Sequence, residues 1–491
     1  MKLKYILTLF LAMNFVACET VDFGDTNANK NGPSDPYPAG LLSGAIMTYA
    51  TQTGRVGLMQ PTLYVQYQSQ VTYTDEMRYN EVPSDWGVYY RDILVDLQSI
   101  IEINSDPANH NGALFSQGAP ENQIGVAMIF KTVVMKMITD TWGDAPYSEA
   151  LQGAANLNAT YDTQEEIYTT LIEELKDARD MLDETKNLPT GDIIYDGDVV
   201  KWKKLANSLI MKMAITLSKR FPAPGAYAAT EFNGALNHAD GYISTVQDEA
   251  WFQFEDIVGF RNPWNANRAP DYFLSREFTD ALNGNAGLNP TSNTTFDSRL
   301  EVYADDSSLP GVPYGFENGS GAGASSVSGV NYWNNTTPLP LMTASYVHLN
   351  RAHAAALGWT AESVATTLTE GILKSYETLD SHFGTSISSE AAAYAAARVV
   401  DAGVVGNIQV IAEEKWVSLF GQAFDAWTEW RLTDFPILSP ATDYLNNGEI
   451  PRRYLYPTEE SSLNKAKYDQ GVASLTPAVD LNTSRIWWDE E

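Results

Sequence analysis

A single cysteine, Cys18, stands in a chain of 491 residues, so no intramolecular disulfide can form and a cysteine-rich metal centre has no ligands. Positive charge is scarce as well: 31 Lys and Arg face 62 Asp and Glu, a formal charge of -31. A chain of that balance lacks the basic stripe that nucleic acid requires of its main partner. Histidine is rarer still, with only His110, His238, His348, His353 and His382. His348 and His353 are five apart and fall on different faces of a helix, and no His-Glu-x-x-His pattern occurs, so a metal site is not expected from them. No Gly-x-Ser-x-Gly elbow supplies a hydrolase nucleophile. Carboxylates are so numerous that any glycosidase pair picked from them would be arbitrary. Nor is there a window of 18 uninterrupted apolar residues, the length a membrane-spanning helix needs.

What is present begins at the amino terminus. Lys2 and Lys4 precede a mostly apolar run of 12 residues, Tyr5 to Val16, too short to span a bilayer and suited to a secretory signal peptide over residues 1–17. Phe15-Val16-Ala17-Cys18 resembles a bacterial lipobox, in which the cysteine is lipidated and becomes the first mature residue. Phe15 departs from the more usual Leu. An ordinary signal peptide cut near Ala17, leaving a bare thiol, is the alternative. Residues 18–38 then form a lipid anchor and a polar, flexible leader. Within it Asn27, Asn29, Asn31 and Gly32 have the spacing of a calcium loop, but the twelfth position is Pro38 where a bidentate Glu is required. No cofactor is expected, although calcium held by separate loops would leave no linear signature.

The rest, residues 39–491, reads as one large body with helical periodicity. Thr163 and Glu166 make a capping box ahead of a stripe at Ile167, Leu171, Leu175, Ala178 and Leu182. A second stripe runs through Trp202, Leu205, Leu209, Met213 and Leu217 in a helix predicted over 200–219. Helices are also predicted over 125–137, 361–380, 389–399 and 409–432. Residues 242–254 suit one or two short strands. An irregular, loop-rich part spans about 240–340. Its last stretch, Gly311 to Pro340, has no Lys or Arg and is rich in Gly, Ser and Asn, yet carries Tyr314, Phe316, Tyr332 and Trp333. Such a stretch is either a flexible loop or one that faces a ligand. The 12 Trp and 26 Tyr suit core packing, with a minority free to stack on the apolar faces of sugar rings.

The segment Asp140-Thr-Trp142-Gly143-Asp144-Ala-Pro146-Tyr147-Ser148-Glu149-Ala150 resembles the D-x-W-G-D-x-P-Y-S-E-A segment of the SusD/RagB-type outer-membrane lipoproteins. Further likenesses follow in that family's order: Tyr161-Asp162 with Gln164-Glu165, Gly197-Asp198 with Trp202 and Ala206-Asn207-Ser208-Leu209, Gly358-Trp359 with Tyr376, and Lys415-Trp416 through Trp427 to Arg431. Pro451-Arg452-Arg453 with Tyr456-Pro457 and the terminal Arg485-Ile-Trp487-Trp488-Asp489 complete the series. Tyr346 and His353 stand where the family usually carries two glutamates, and Arg431-Leu432 where many members have consecutive arginines, which puts a helix-helix ion pair in question. Read as residues, Asp140, Gly143, Asp144 and Pro146 suit a capped, rigid turn, Asn207 suits a bond to neighbouring backbone, and Arg431 suits pairing with a carboxylate or stacking on an aromatic.

The resemblance implies a mainly α fold of tetratricopeptide-like helix pairs, with the loop-rich ligand-binding part packed on them. It implies a lipid-anchored protein at the outer face of the outer membrane, with no catalytic activity and no nucleic-acid partner. Such a protein captures a nutrient glycan and delivers it to a SusC-like TonB-dependent transporter. A peptide cargo of the RagB kind, or a surface glycosidase, are the alternatives. The candidate ligand-binding residues are Arg78 and Trp86, in the loop-like run 72–86, and Trp264, Tyr272, Tyr332 and Trp333 in the irregular middle. For each of these, packing in the core or at an interface is the competing role.

Overall fold

The computed structural model describes residues 37–53, 58–81, 84–156, 158–266 and 268–491. The amino-terminal apolar run, Cys18 and the Asn27 to Gly32 segment lie outside them. From Pro38 to Glu491 the chain forms one body. Its helices of eight residues or more are α1 (Pro38–Gln52), α2 (Val95–Ser105), α3 (Pro120–Trp142), α4 (Gln164–Met181), α5 (Val199–Thr216), α6 (Tyr227–Leu236), α7 (Arg276–Asn283), α8 (Ala344–Ala356), α9 (Val364–Phe383), α10 (Ser388–Val405), α11 (Asn407–Ser418), α12 (Ala423–Thr433) and α13 (Lys465–Ala473). Helices α1 to α6 each pack on the next, and so do α8 to α12, while α8 also packs on α5 and joins the two runs. Stacked helix pairs therefore make the scaffold, as the resemblance implied.

Local chemistry sets the helix ends. Thr163 accepts from the Glu166 amide while the Glu166 carboxylate accepts from the Thr163 amide, so α4 starts on a complete capping box. Asp198 caps α5 by accepting from the amides of Val200 and Lys201. The predicted stripes of both helices are buried. Helix α5 buries more than its stripe, since Asn207, Ser208 and Lys212 are enclosed too, as befits a helix touched by α3, α4, α6 and α8. Lys212 is held by Asp425 at 2.5 Å.

One prediction changes. Residues 409–432 form two helices, α11 and α12, separated at Leu419–Gln422, where Gly421 has φ +92°. The apolar pattern runs on through the break, but the backbone turns in the left-handed region that favours glycine.

The loop-rich part is tied to the scaffold by ladders and by charge. The six strands among the described residues are β1 (Gln68–Gln70), β2 (Ala145–Pro146), β3 (Tyr161–Asp162), β4 (Ala250–Phe252), β5 (Tyr272–Leu274) and β6 (Leu339–Met342). They pair antiparallel as β1 with β5, β2 with β3, and β4 with β6. Strand β4 falls within the predicted 242–254. A buried ionic cluster adds a bolt: the Arg299 guanidinium lies 2.7 Å from Asp297 and 2.6 Å from Glu414 of α11, and Arg398 of α10 binds Glu413 and Glu414. Charges so buried persist only when paired on every side.

Among the described residues no helix is long and apolar enough to cross a membrane.

Candidate functional site

Strand β1 emerges from the scaffold and pairs with β5 in the register Gln68 to Leu274, Ser69 to Phe273 and Gln70 to Tyr272. The chain at Val312 joins them, its amide donating to Leu274 O at 2.9 Å while its carbonyl accepts from the Arg276 amide at 2.8 Å. Most of the Gly/Ser/Asn-rich stretch is held down in this way. The Leu274 amide donates to Ser325 O, and Gly321 lies so close over Phe273 that an added Cβ would come within 2.1 Å of the ring. Tyr314, Tyr332 and Trp333 are buried, whereas Phe316 remains exposed.

Four of the six candidates come together. Trp264 lies 5.9 Å from Tyr332 and 5.7 Å from Trp333, and Tyr272 lies 5.8 Å from Trp333, ring centre to ring centre. Phe420, delivered by the break between α11 and α12, closes the group edge-on to Tyr332 at 5.0 Å. Trp264, Tyr332 and Trp333 are buried and Tyr272 is half-buried. The indole N–H groups of Trp264 and Trp333 have no hydrogen-bond partner among the described residues.

The other two candidates lie elsewhere. Arg78 is buried. Its Nε donates to Asp443 O at 2.6 Å, its guanidinium stands 3.7 Å from Asp75 and 3.6 Å from Glu317, and its own carbonyl accepts from the Leu445 amide. It thereby ties three loops together. Trp86 is enclosed by rings of the scaffold, edge-on to Tyr90, Trp142, Tyr161 and Tyr456 at 5.6–5.9 Å. Its environment is core packing beside the D-x-W-G-D segment.

Sequence reasoning passed over Tyr73, the most exposed aromatic residue among those described, at 69%. The Arg268 guanidinium stacks on that ring, 4.7 Å from its centre, and is itself held by Asp271 at 2.9 Å. Beside the pair, Gln70 donates to the Tyr272 hydroxyl at 3.2 Å and to the Glu76 carboxylate. Burial, and then the Glu76 charge, push the Tyr272 hydroxyl pKa up. Tyr73 has φ 53°, Tyr79 in the same loop has φ 70°, and Gln66, in the turn that leads into β1, has φ 59°. Left-handed backbone at three residues that are not glycine is strain the surrounding contacts must hold, and such strain gathers at functional sites. The result is a flat ring presented to solvent with a cation, an amide and a carboxylate around it.

Residues 30–457 match the family described as "Starch-binding associating with outer membrane", a SusD-like family. The chain belongs to that family. Solved structures agree on the fold. A chitin-binding protein superposes with a TM-score of 0.75 at 23% identity, over 93% of this chain and 100% of its own. A Bacteroidetes SusD-like protein does so at 0.76 and 22%, over 93% and 100%. A SusD homologue from Bacteroides uniformis gives 0.74 and 20%, again over 93% and 100%. No curated protein matches the chain. At these identities the likeness concerns the fold.

The SusD-like motifs are scaffold. Helix α3 ends at Trp142, and Gly143, at φ 99°, donates its amide to Thr139 O. Asp144 accepts from the Gln164 amide at 2.9 Å, linking the turn to α4. Asp140 accepts from Tyr168 and Trp488 and pairs with Lys136. The Asn207 side chain donates to Gly241 O and accepts from Arg179. Where glutamates were missing, a different polar set joins the helices: Lys415 pairs with Glu429 at 2.9 Å, Tyr346 donates to that same Glu429, and His353 Nδ1 lies 3.2 Å from the Lys415 ammonium. Burial and the neighbouring ammonium hold the His353 pKa well below the usual imidazole range. The interhelical ion pair persists with its acid on α12.

Proposed function

We propose that this SusD-like chain is a lipoprotein anchored through Cys18 that captures a glycan at the cell surface and delivers it to a SusC-like TonB-dependent transporter, without chemical conversion. The family description supports glycan binding and the outer membrane. The observation that carries the site is Tyr73, an exposed ring held in strained backbone with Arg268 stacked on it and Gln70, Glu76 and Tyr272 alongside. A ring face takes the apolar side of a sugar, while the surrounding amide, carboxylate and guanidinium bond its hydroxyls. Tyr272 continues this face toward Trp333, which packs on Trp264 and through it on Tyr332, and Arg78 braces the loop bearing Tyr73. Trp86 serves the scaffold.

The test is calorimetric titration of the mature protein with a glycan panel that begins with starch-type oligosaccharides. Tyr73→Ala is expected to weaken binding about tenfold or more, the effect of losing one well-placed aromatic anchor. Unchanged affinity would remove Tyr73 from the site. Binding on a peptide panel alone would select a peptide cargo, and released reducing sugar would mark a hydrolase.

A further inference from the structure

A second concavity lies at the start of α7. It is a groove of about 590 Å³ between the turns at 287–290, 313–316 and 437–442. That volume falls within the range of small-molecule sites. Leu288, Phe316 and Ile437 expose apolar side chains along it, and Pro290, Pro313 and Pro440 stiffen its walls. Among the described residues that line it there is no Lys or Arg.

One charged side chain lines this apolar groove. Glu277 Oε1 accepts a long bond of 3.3 Å from the Tyr314 amide, and its Oε2 is enclosed with no partner among the described residues. A carboxylate in that position is under-compensated: solvent is withheld, and only the amides of Tyr314 and of Glu277 itself replace it. The charged neighbours do little to help. Arg276, the adjacent cation, is turned to Asp280 at 3.1 Å, the Asp280 charge opposes ionisation of Glu277, and the facing Tyr79 and Tyr314 are neutral phenols. Burial pushes the Glu277 pKa up to about 7.

What completes such a site is a cation that brings its own apolar framework. We propose that the groove binds a small primary-ammonium ligand, the ammonium on the Glu277 carboxylate and the carbon framework against Leu288, Phe316 and Ile437. Amino sugars and lysine side chains share this chemistry, and a chain of charge -31 attracts either. The site is separate from the Tyr73 face and does not depend on the glycan reading.

Calorimetry on the complete mature chain tests it, with glucosamine oligosaccharides and a short lysine peptide, each paired with its N-acetylated counterpart. At least one free amine should bind saturably while its acetylated partner does not, and which of the two binds identifies the source. For the lysine peptide, whose ammonium stays charged, affinity should rise about tenfold from pH 6 to pH 8 as Glu277 ionises. Glu277→Gln should cost at least about tenfold at pH 8 and flatten the pH profile. Ile437→Trp, which narrows the groove without touching the carboxylate, gives an independent loss should the first variant fold poorly. Equal binding of acetylated and free amines, no binding of either amine, or full affinity in Glu277→Gln each overturns the proposal.

Discussion

Arg431 is fully buried. Its guanidinium lies over the Trp427 ring, 3.9 Å from its centre, and near Trp488 at 4.8 Å, and donates to Asp140 O at 2.6 Å, Arg452 O at 2.7 Å and Trp427 O at 3.2 Å. Sequence reasoning left two roles open, a carboxylate partner or an aromatic stack. The structure selects the stack, and three main-chain carbonyls, those of Asp140, Trp427 and Arg452, take the place of the carboxylate. Desolvation lowers the pKa of this group to about 10, so it remains charged at neutral pH. Lysine offers a single ammonium that cannot stack and reach all three carbonyls together. Arg431→Lys is therefore expected to destabilise the protein by about 2–3 kcal/mol, read from urea denaturation. A loss below about 0.5 kcal/mol would show that the planar fork is dispensable.

At the scale of the element, capping chemistry and 3.6-residue stripes made most helices legible. Thr163 with Glu166 and the Trp202 to Leu217 stripe are the clearest cases, and both fold as their residues require. The break at Gly421 was not legible, because Val417 through Leu432 keep their apolar spacing across it and only the sign of one φ angle decides. That break matters to the site, since it turns Phe420 toward Tyr332, Tyr303 and Phe278. An added Cβ would meet Tyr332 at 3.5 Å, ordinary contact, so the cost of Gly421→Ala lies in the backbone. We expect about 1–2 kcal/mol lost in denaturation. No loss would mean that the turn relaxes without strain. Tyr73 escaped for a related reason. Its exposure follows from a left-handed φ and from Arg268, a partner far along the chain, and neither leaves a mark on Thr72-Tyr73-Thr74.

For the whole molecule, order and spacing of motifs identified the family, while the face proposed for the ligand stayed hidden because it is assembled from loops that meet only in three dimensions. Cys18→Ala is expected to move the protein from the membrane fraction to the soluble fraction and to abolish fatty-acid labelling. Retention of label would place the anchor at another residue. The ladders that fasten the loops carry a further consequence. Helix pairs close contacts between chain neighbours, whereas β1 must find β5 and β4 must find β6 across long separations, from Gln68 to Leu274 and from Ala250 to Met342. Loop-closure entropy delays such pairings until the helices around them have formed. Assembly therefore has an order, helices first and the loop ladders last, and the chain acquires its scaffold before the face proposed to bind a ligand.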